Sequence, residues 1–237
     1  MKSIQKHAAG TKIHILDDGK AEWRFSANHP DTAATVDKTI ETEFDIGISE
    51  GRNRLVDSVE TPYLMLIDDD HVLTRKTKLV EMLNRFVDLG DRCDLLAFGA
   101  RYVPRCFAYS KWKRTIYAIN KARETENGIQ WCDLVTNAFI AKPEPVRKVR
   151  WDARIKTGEH WDFFLRAMRQ GMKVAMTRNH DIDHLHVNND AYTPIRYKKA
   201  RRRLPLRLHG LNSFKWHNPP QGVVTVDMKP SPEPGSS

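Results

Sequence analysis

The sequence predicts an α/β fold, with a mixed, mostly parallel sheet flanked by helices. The main indication is Y-L-M-L-I at Tyr63–Ile67, a continuous apolar run typical of a strand buried on both faces of a sheet. Strand-like and helix-like segments alternate along the chain, as they do in α/β proteins. With 237 residues, 40% of them hydrophobic, the chain is long enough for one sizeable core.

Each element is predicted from its local pattern. Short apolar or β-branched runs predict strands at Lys12–Leu16, Tyr63–Ile67, Asp94–Ala100, Leu134–Ala141, Lys173–Met176 and His180–His186. Apolar residues at helical spacing predict helices at Glu50–Ser58, between Thr74 and Gly90, and at Glu159–Gln170. Ser49 and Thr74 are candidate N-caps, because a hydroxyl oxygen accepts hydrogen bonds from the free N–H groups of a first helical turn.

The composition is typical of a soluble globular protein. No apolar run approaches the roughly 18 residues that span a bilayer, and Met1–Gly10 contains no apolar signal-peptide core. The cysteines Cys93, Cys106 and Cys132 are odd in number, widely spaced and without a C-x-x-C pair, so we expect neither a disulfide framework nor a cysteine zinc site. A reducing compartment and a cytoplasmic protein are therefore favoured.

Domain organisation and charge are also predicted. We expect a single domain over residues 1–229 and a disordered tail, P-S-P-E-P-G-S-S, over residues 230–237. The net charge of +9 is unevenly placed, since Arg196–Arg207 contains seven Lys or Arg and no acid. Such a block suits a membrane surface, a phosphorylated substrate or nucleic acid, with a solvated basic helix as the alternative.

The segment Asp68–His71, D-D-D-H, directly follows the predicted central strand. Three neighbouring carboxylates repel one another unless a cation offsets their charge, and ligands bind at this edge of an open α/β sheet. Asp68 and Asp70 alternate along an extended chain, so both point to one side. Carboxylate oxygens suit Mg²⁺ or Mn²⁺, which commonly arrive with a phosphate. The alternative is a solvated acidic turn.

Four segments occur in a characteristic order along the chain. They are D-D-G at Asp17–Gly19, G-I-S-E-G-R-N-R at Gly47–Arg54, D-D-D-H at Asp68–His71, and W-D-A-R-I-K-T-G-E-H-W-D-F-F-L-R at Trp151–Arg166. Together they resemble the nucleotide-sugar glycosyltransferases of the GT-A fold, family 2, in particular the β-1,4-N-acetylgalactosaminyltransferase-like members. The resemblance covers roughly residues 12–188. The D-x-D motif alone is weakly specific, whereas the ordered set is strongly specific.

The resemblance implies a metal-dependent, inverting glycosyltransferase. It would move a hexose or N-acetylhexosamine from a UDP-sugar to a hydroxyl of a glycan or glycoconjugate, as in polysaccharide biosynthesis. Asp68 and Asp70 would hold Mn²⁺ or Mg²⁺, which stabilises the negative charge of the departing UDP. His186, or His184 in its place, would complete the metal site, because the two histidines share one face of a strand. Surface or hydrogen-bonded histidines are the alternative.

The resemblance also implies how the donor nucleotide is bound. Asp17, with Asp18 beside it, would hydrogen-bond the uracil or the ribose, and Asp68 would lie near the ribose. Arg52 would face the phosphates, while Asn53 would steady its loop. The alternatives are an Asx-type turn at Asp17 and an ordinary exposed helical arginine.

Catalysis by an inverting transferase needs a carboxylate that takes the proton of the acceptor hydroxyl. Asp162 matches an acidic position of the family, and Glu159 is the substitute or an acceptor ligand. A carboxylate that interacts with the helix dipole is the structural alternative for Asp162. Trp161 would stack on a sugar ring or belong to the core.

One departure from the family concerns the start of the sheet. The GT-A fold usually begins with a strand upstream of the D-D-G strand, and only eleven residues precede Lys12 here. We therefore expect that first strand to be missing or replaced. The β-rich run at Gly222–Met228, G-V-V-T-V-D-M, would replace it by pairing beside Lys12–Leu16.

Two other function classes fit part of the sequence. A catalytically weakened GT-A-like module would bind nucleic acid or an anionic surface through Arg196–Arg207. A nucleotidyltransferase also uses strand-end aspartates, but the sequence has no Gly-rich triphosphate loop. For the transferase, the expected partners are the UDP-sugar donor, the acceptor and a peripheral membrane contact through Arg196–Arg207, without nucleic acid.

Overall fold

The computed structural model describes residues 1–99, 106–118, 125–156, 158–185, 208–218 and 222–227. Their helices are α1 (Lys2–His7), α2 (Phe25–Asn28), α3 (Pro30–Ala33), α4 (Ile48–Asp57), α5 (Leu79–Leu89), α6 (Pro143–Val149) and α7 (Glu159–Arg169). Their strands are β1 (His14–Asp17), β2 (Lys38–Glu41), β3 (Leu64–Ile67), β4 (His71–Val72), β5 (Leu95–Gly99), β6 (Cys106–Ser110), β7 (Thr115–Ala118), β8 (Thr125–Glu126), β9 (Ile129–Cys132), β10 (Leu134–Val135), β11 (Ala138–Ala141), β12 (Val174–Asp181), β13 (Asp183–His184), β14 (Ser213–Asn218) and β15 (Gly222–Asp227).

The central sheet has six strands in the order β3-β11-β5-β12-β9-β8. β5 and β12 are parallel neighbours, and β11 lies antiparallel between β3 and β5, so β3, β5 and β12 all run in one direction. The mixed α/β sheet is therefore confirmed, but the prediction that it is mostly parallel is wrong, because β5 and β12 are the only parallel neighbours among its described strands. Because β3 and β12 end at the same edge, the residues that follow them meet there.

Smaller sheets flank the central one. A five-stranded sheet has the order β10-β6-β7-β14-β15, and β1 pairs in parallel with β2. The short strands β4 and β13 pair antiparallel, with His71 opposite His184. This pairing brings the segment after β12 back to the segment after β3.

The hydrophobic core lies on both faces of the central sheet. Successive residues of β5 point to opposite faces, so Leu95 and Ala97 belong to one buried cluster and Leu96 and Phe98 to the other. Helices α4, α6 and α7 contribute to the first cluster, while α5 and the segment around Ala8 contribute to the second. The strand predicted to be central and buried on both faces, β3, is instead at the edge of the sheet, with Leu64 and Leu66 buried and Met65 and Ile67 partly buried. The strand that is buried on both faces is β5.

The predicted helices form, but two predicted caps are wrong. Gly47 is the N-cap of α4, with φ +90°, and Ser49 lies inside the helix, where its hydroxyl donates to the Ile155 carbonyl. Helix α5 begins at Leu79, and Thr74 belongs to a preceding turn. A hydroxyl close to a helix start has several backbone partners within reach, and tertiary contacts decide among them.

Two predicted strand boundaries also change. The run predicted as one strand at Leu134–Ala141 divides into β10 and β11, which join different sheets. The two strands predicted on either side of residue 178 are instead one long strand, β12, followed by β13. The proposed disordered tail lies outside the described residues.

The proposed replacement of the first strand is wrong. β15 pairs antiparallel with β14, and β14 pairs in parallel with β7, so the β-rich run does not lie beside β1. Only three residues separate β14 from β15. A hairpin between such close neighbours loses less chain entropy than a pairing with the distant N-terminal segment.

The cysteine expectation is also wrong. Cys106 of β6 and Cys132 of β9 form a disulfide, with their Cα atoms 5.6 Å apart, and Cys93 is free and buried. The 26-residue separation gave no local signal, because the fold alone brings the two strands together. We expected a reducing compartment because the cysteines showed no pairing pattern. The disulfide removes that reason.

Within the described ranges, no helix combines the length and apolar character needed to cross a membrane.

The cysteines should differ sharply in reactivity. Burial raises the pKa of the Cys93 thiol to about 12, so its reactive thiolate is scarce in the folded state. We expect iodoacetamide at pH 8 to modify none of the three cysteines in the native protein. Unfolding without reductant should expose Cys93 alone, and unfolding with reductant should expose all three, as measured by peptide mass spectrometry. Labelling of Cys106 without reductant would contradict the disulfide.

Candidate active site

An acidic cluster lies where β3 ends. Asp68, Asp70 and His71 each offer one ligand atom, and these atoms all lie within 4.8 Å of one another. His184 joins them from β13, because its Nε2 lies 2.8 Å from Asp70 Oδ2 and its ring stacks on that of His71 with centroids 5.0 Å apart. Of the two predicted histidines, His184 is thus at the cluster, and His186 lies outside the described residues.

The cluster fits a divalent cation. Asp70 Oδ1 is buried and has no hydrogen-bond partner among the described residues. Although Asp69 reaches the surface, desolvation of its carboxyl together with the charges of Asp70 and Asp68 raises its pKa. A cation beside Asp70 would give the unpartnered oxygen a ligand contact. It would also offset the negative charges that raise the pKa of Asp69. The carboxylate oxygens suit Mn²⁺ or Mg²⁺, and the imidazole nitrogens favour Mn²⁺, since the ligands of Mg²⁺ are oxygens.

Arg52 connects this cluster to helix α7. Its guanidinium lies 2.5 Å from Asp68 Oδ1 through one terminal nitrogen and 2.5 Å from Glu159 Oε1 through the other. Arg52 is only 4% exposed, so the ion pairs form with little water to compete. Asn137, which directly precedes β11, also donates to Glu159 Oε1, at 3.3 Å.

These contacts set the charge states of the buried pair. Burial raises the pKa of the Glu159 carboxyl, but the nearby His160 imidazole, 3.8 Å away, and the charge of Arg52 outweigh it and hold that pKa well below its usual range. Burial lowers the pKa of Arg52, and the carboxylates of Asp68 and Glu159 more than compensate. Both groups are therefore charged at neutral pH. The prediction that Arg52 faces phosphates remains untested, and its two carboxylate partners are now known.

The loop before α7 is fastened to helix α4. The Asn53 side chain donates to the Trp151 carbonyl at 2.9 Å and accepts from the Trp151 N–H at 2.8 Å. The ammonium of Lys156 lies 2.9 Å from Asp45 Oδ2. Gly47 is required by this packing, since a Cβ there would approach Lys156 Cγ to 2.9 Å. Asn53 therefore steadies a loop, as predicted, and that loop positions Glu159.

The D-D-G turn is held by its own carboxylates. Asp17 accepts hydrogen bonds from the N–H groups of Gly19, at 2.8 Å, and Phe25, at 2.6 Å. Asp18 accepts from the Gly47 N–H at 3.2 Å, which joins the turn to the start of α4. The Asx-type turn predicted as the alternative for Asp17 is thus present. It places Asp17 and Asp18 beside the start of helix α4, the helix that contains Arg52.

Asp162, one turn after Glu159, has a different environment. Its Oδ2 accepts from Arg166 Nε, at 2.9 Å, and its Oδ1 lies 2.8 Å from His209 Nε2. Asp162 is 3% exposed. Burial raises its pKa, but the hydrogen bonds from His209 and Arg166 outweigh burial and lower it. Both oxygens of this predicted base therefore already have partners.

The structure thus brings together Asp68, Asp70, His184, Arg52 and Glu159, while Asp17 and Asp18 lie one loop away. Sequence reasoning missed Asn137 and His209, which carry no motif and lie far along the chain from their partners. It also missed His71 as a ligand, although the position directly after three aspartates was a usable signal. Trp161 packs edge-on against Phe107, with centroids 5.0 Å apart, as the core alternative predicted.

Removal of Arg52 should strongly destabilise the fold. Arg52→Met leaves the buried Glu159 carboxylate unpaired, and breaking a buried pair on one side costs about 3–5 kcal/mol of unfolding free energy. The double variant Arg52→Met/Glu159→Gln should recover part of that loss, as measured by urea unfolding. Arg54→Met, on the exposed side of the same helix, is the control and should change stability by less than about 0.5 kcal/mol. Equal losses for the two arginines would refute a structural role for the bridge.

Acid should remove the contribution of Glu159. Because its folded-state pKa is depressed, the stabilisation is fully present above the unfolded carboxyl pKa of about 4.3 and is lost as pH falls below it. We expect the difference in unfolding free energy between the wild type and Glu159→Gln to shrink as pH is lowered from about 6 to about 3. A difference that grows on acidification would contradict the ion pair.

Comparisons with known proteins agree with this geometry. No protein-family model matches the chain. The chain is 27% identical to β-1,4 N-acetylgalactosaminyltransferase 1 of Rattus norvegicus over 199 residues, which cover 77% of this chain and 35% of the relative. It is 28% identical to the Homo sapiens protein over the same length, and 24% identical to β-1,4 N-acetylgalactosaminyltransferase 2 of Mus musculus over 178 residues, 70% of this chain and 32% of that protein. The chain thus spans about a third of the length of these relatives.

Solved structures share the fold. GalNAc-T7, crystallised with UDP, GalNAc and Mn²⁺, superposes with a TM-score of 0.60 at 12% identity, over 78% of this chain and 40% of that chain. Residues 1–349 of TarS from S. aureus, in complex with UDP, give a TM-score of 0.51 at 10% identity, over 84% of this chain and 55% of that chain. The resemblance stated from the four motifs is confirmed: the chain has the GT-A glycosyltransferase fold and is related in sequence to the β-1,4-N-acetylgalactosaminyltransferases.

Proposed function

We propose that the chain is a metal-dependent, inverting glycosyltransferase. It would move a hexose or N-acetylhexosamine from a UDP-sugar to a hydroxyl of a glycan or glycoconjugate. The observation that carries the proposal is the cluster of Asp68, Asp70, His71 and His184 at the edge where β3 and β12 end. The sequence relatives named N-acetylgalactosaminyltransferases support the reaction class, and the GalNAc-T7 complex with UDP, GalNAc and Mn²⁺ supports the donor and the metal.

The donor phosphates would be held at this cluster. Asp68, Asp70, His71 and His184 would supply the oxygen and nitrogen ligands for Mn²⁺ or Mg²⁺. When bound, that ion neutralises the charge that UDP carries away as the glycosidic bond breaks. Arg52 fixes the orientation of Asp68 through their ion pair, so this ligand is in place before the donor arrives.

The nucleoside would lie toward the D-D-G turn. Each oxygen of the Asp17 carboxylate accepts one backbone N–H and retains a lone pair, which suits a hydrogen bond from the uracil N–H or a ribose hydroxyl. The bond from the Gly47 N–H to Asp18 ties this turn to the helix that carries Arg52. The D-D-G turn would therefore bind the nucleoside, and the cluster next to Arg52 would bind the phosphates. The bond between Asp18 and Gly47 connects these two parts of the site.

The second candidate is an anionic-surface or nucleic-acid binder, and no observation favours it over the transferase. Its basic segment, Arg196–Arg207, lies outside the described residues. A peripheral membrane contact through that segment remains a proposal compatible with the transferase. The dependence of binding on salt concentration distinguishes the two functions, because binding of a polyanion weakens steeply with ionic strength.

Thermal unfolding with UDP and Mn²⁺ tests the proposal. Ligand at 100 times its Kd stabilises the native state by about 2.7 kcal/mol, which corresponds to a rise in Tm of roughly 5–10 °C for a domain of this size. We expect this rise with UDP plus Mn²⁺ and a smaller one with UDP alone. Asp70→Ala should abolish the Mn²⁺-dependent part.

The matched control is Asp88→Ala, which removes an exposed carboxylate from helix α5. This variant should keep the full response. No preference for UDP over ADP, GDP and CDP, together with no effect of Mn²⁺, would reject the transferase proposal.

A further inference from the structure

We propose that the turn between β6 and β7, residues 111–114, docks on an anionic phospholipid membrane, with Trp112 inserted among the lipid headgroups. The inference goes beyond the proposed function and does not depend on it, since it concerns a surface rather than the transfer reaction. The sequence of the turn is K-W-K-R, and the turn directly follows the paired residues Ser110 and Thr115 that end the two strands. We call it the docking turn.

Trp112 is exposed far beyond what the hairpin requires. It is 94% exposed, the highest value among the large hydrophobic residues that the structure describes. Turns favour small polar residues such as Gly, Asn, Asp and Ser, because these residues fit turn geometry. A large indole at the end of a hairpin buries almost no surface there, so packing gives no reason for a tryptophan at this position.

The structure holds the docking turn in one conformation. Arg114 has a left-handed backbone, with φ +46°. The Lys113 carbonyl accepts hydrogen bonds from the Thr115 hydroxyl, at 3.0 Å, and from the Asn212 side-chain amide, at 3.2 Å. The Arg114 carbonyl accepts from the Asn212 N–H at 2.8 Å, and the adjacent Leu211 is buried in the core. Because the backbone is already ordered, docking costs little conformational entropy.

The charges of the docking turn are all positive. Lys111, Lys113 and Arg114 are exposed, and none of them pairs with a carboxylate in the part of the chain that the structure describes. Lys and Arg side chains close to an anionic membrane are attracted to its surface. Tryptophan is typical of the membrane–water interface, because its amphipathic ring suits the headgroup level. One exposed indole among three cations is therefore complementary to an anionic membrane surface.

The segment that binds the docking turn carries further features of the same kind. Leu208, four residues before Asn212, is 52% exposed. In the sequence, Leu208 directly follows the basic segment Arg196–Arg207, whose structure lies outside the described residues. The chain as a whole has a net charge of +9. This continuity favours an anionic partner over a neutral one.

Other partners fit the docking turn less well. A second copy of the chain would bring the same three cations, and like charges that face each other oppose association. Proteins that bind single-stranded nucleic acid use grooves in which successive bases stack on several aromatic rings. The docking turn is instead the end of a hairpin with one aromatic ring. Insertion into an interface needs only such a ring and the cations around it.

Flotation of the purified full chain with lipid vesicles tests the proposal. We expect binding to phosphatidylcholine vesicles that contain about 30% phosphatidylserine, and weaker binding to phosphatidylcholine alone. Trp112→Ala should weaken binding about 30–100-fold, the effect of no longer burying roughly half of an indole surface. Lys111→Gln/Lys113→Gln should weaken it about 25-fold, since each lost cation reduces affinity about 5-fold.

The matched control is Trp23→Ala, which removes another exposed tryptophan, 64% exposed, that lies against Lys20. This variant should keep the wild-type affinity for the vesicles. Quenching of tryptophan fluorescence by brominated phosphatidylcholine in the anionic vesicles should be largely lost in Trp112→Ala and retained in Trp23→Ala. Trp112→Ala should also keep the wild-type Tm, because exposed side chains contribute little to stability.

The contrary results are specific. Wild-type vesicle binding in Trp112→Ala, or equal binding of the wild type to neutral and anionic vesicles, would overturn the proposal. No binding of the wild type to either vesicle would do so as well. Tighter binding to a single-stranded oligonucleotide than to anionic vesicles, lost in Trp112→Ala, would instead assign the docking turn to nucleic acid.

Discussion

The bridge from Asp68 through Arg52 to Glu159 is the interaction on which the candidate site depends. Four carboxylates and several histidines gather at one sheet edge, and a buried guanidinium is what keeps two of those carboxylates close without repulsion. Arginine suits this task because its planar fork is always charged and donates in two directions at once. The same residue ties strand β3, helix α4 and helix α7 together. The same two ion pairs therefore offset the charge of the carboxylates and hold these three elements together.

The loop between Trp151 and Glu159 shows how this bridge is set up. Paired hydrogen bonds between Asn53 and the Trp151 backbone fix the start of the loop, and the contact of Lys156 with Asp45 fixes its end. Both anchors come from helix α4 or the segment just before it. The G-R-N sequence therefore combines two roles in adjacent residues: Arg52 holds the carboxylates, and Asn53 holds the loop that delivers one of them.

Helix α7 illustrates how environment separates chemically similar groups. Glu159 and Asp162 are both buried acids in its first turn, and both have depressed pKa values. Their partners differ: Glu159 pairs with Arg52, which also pairs with Asp68, whereas Asp162 is bound by Arg166 and His209. His160, between them, keeps a partly exposed imidazole beside a carboxylate. A sequence pattern that identifies this turn as functional does not by itself say which side chain acts.

The sequence by itself determined the fold class and the helices of the second and fourth motifs, and it indicated the acidic cluster of Asp68 and Asp70, because these depend on local periodicity and on carboxylates that are close along the chain. It also indicated Arg52 and His184, which the structure brings to the cluster, and His186, which lies outside the described residues. Only the tertiary structure decided that His71 and His184 meet, that Cys106 bonds to Cys132, that β15 pairs with β14, and that Asn137 and His209 contact the acids of α7. Each of these contacts joins segments that are distant along the chain and that only the packing of the sheets brings together. Such non-local contacts produce no periodic pattern in the sequence.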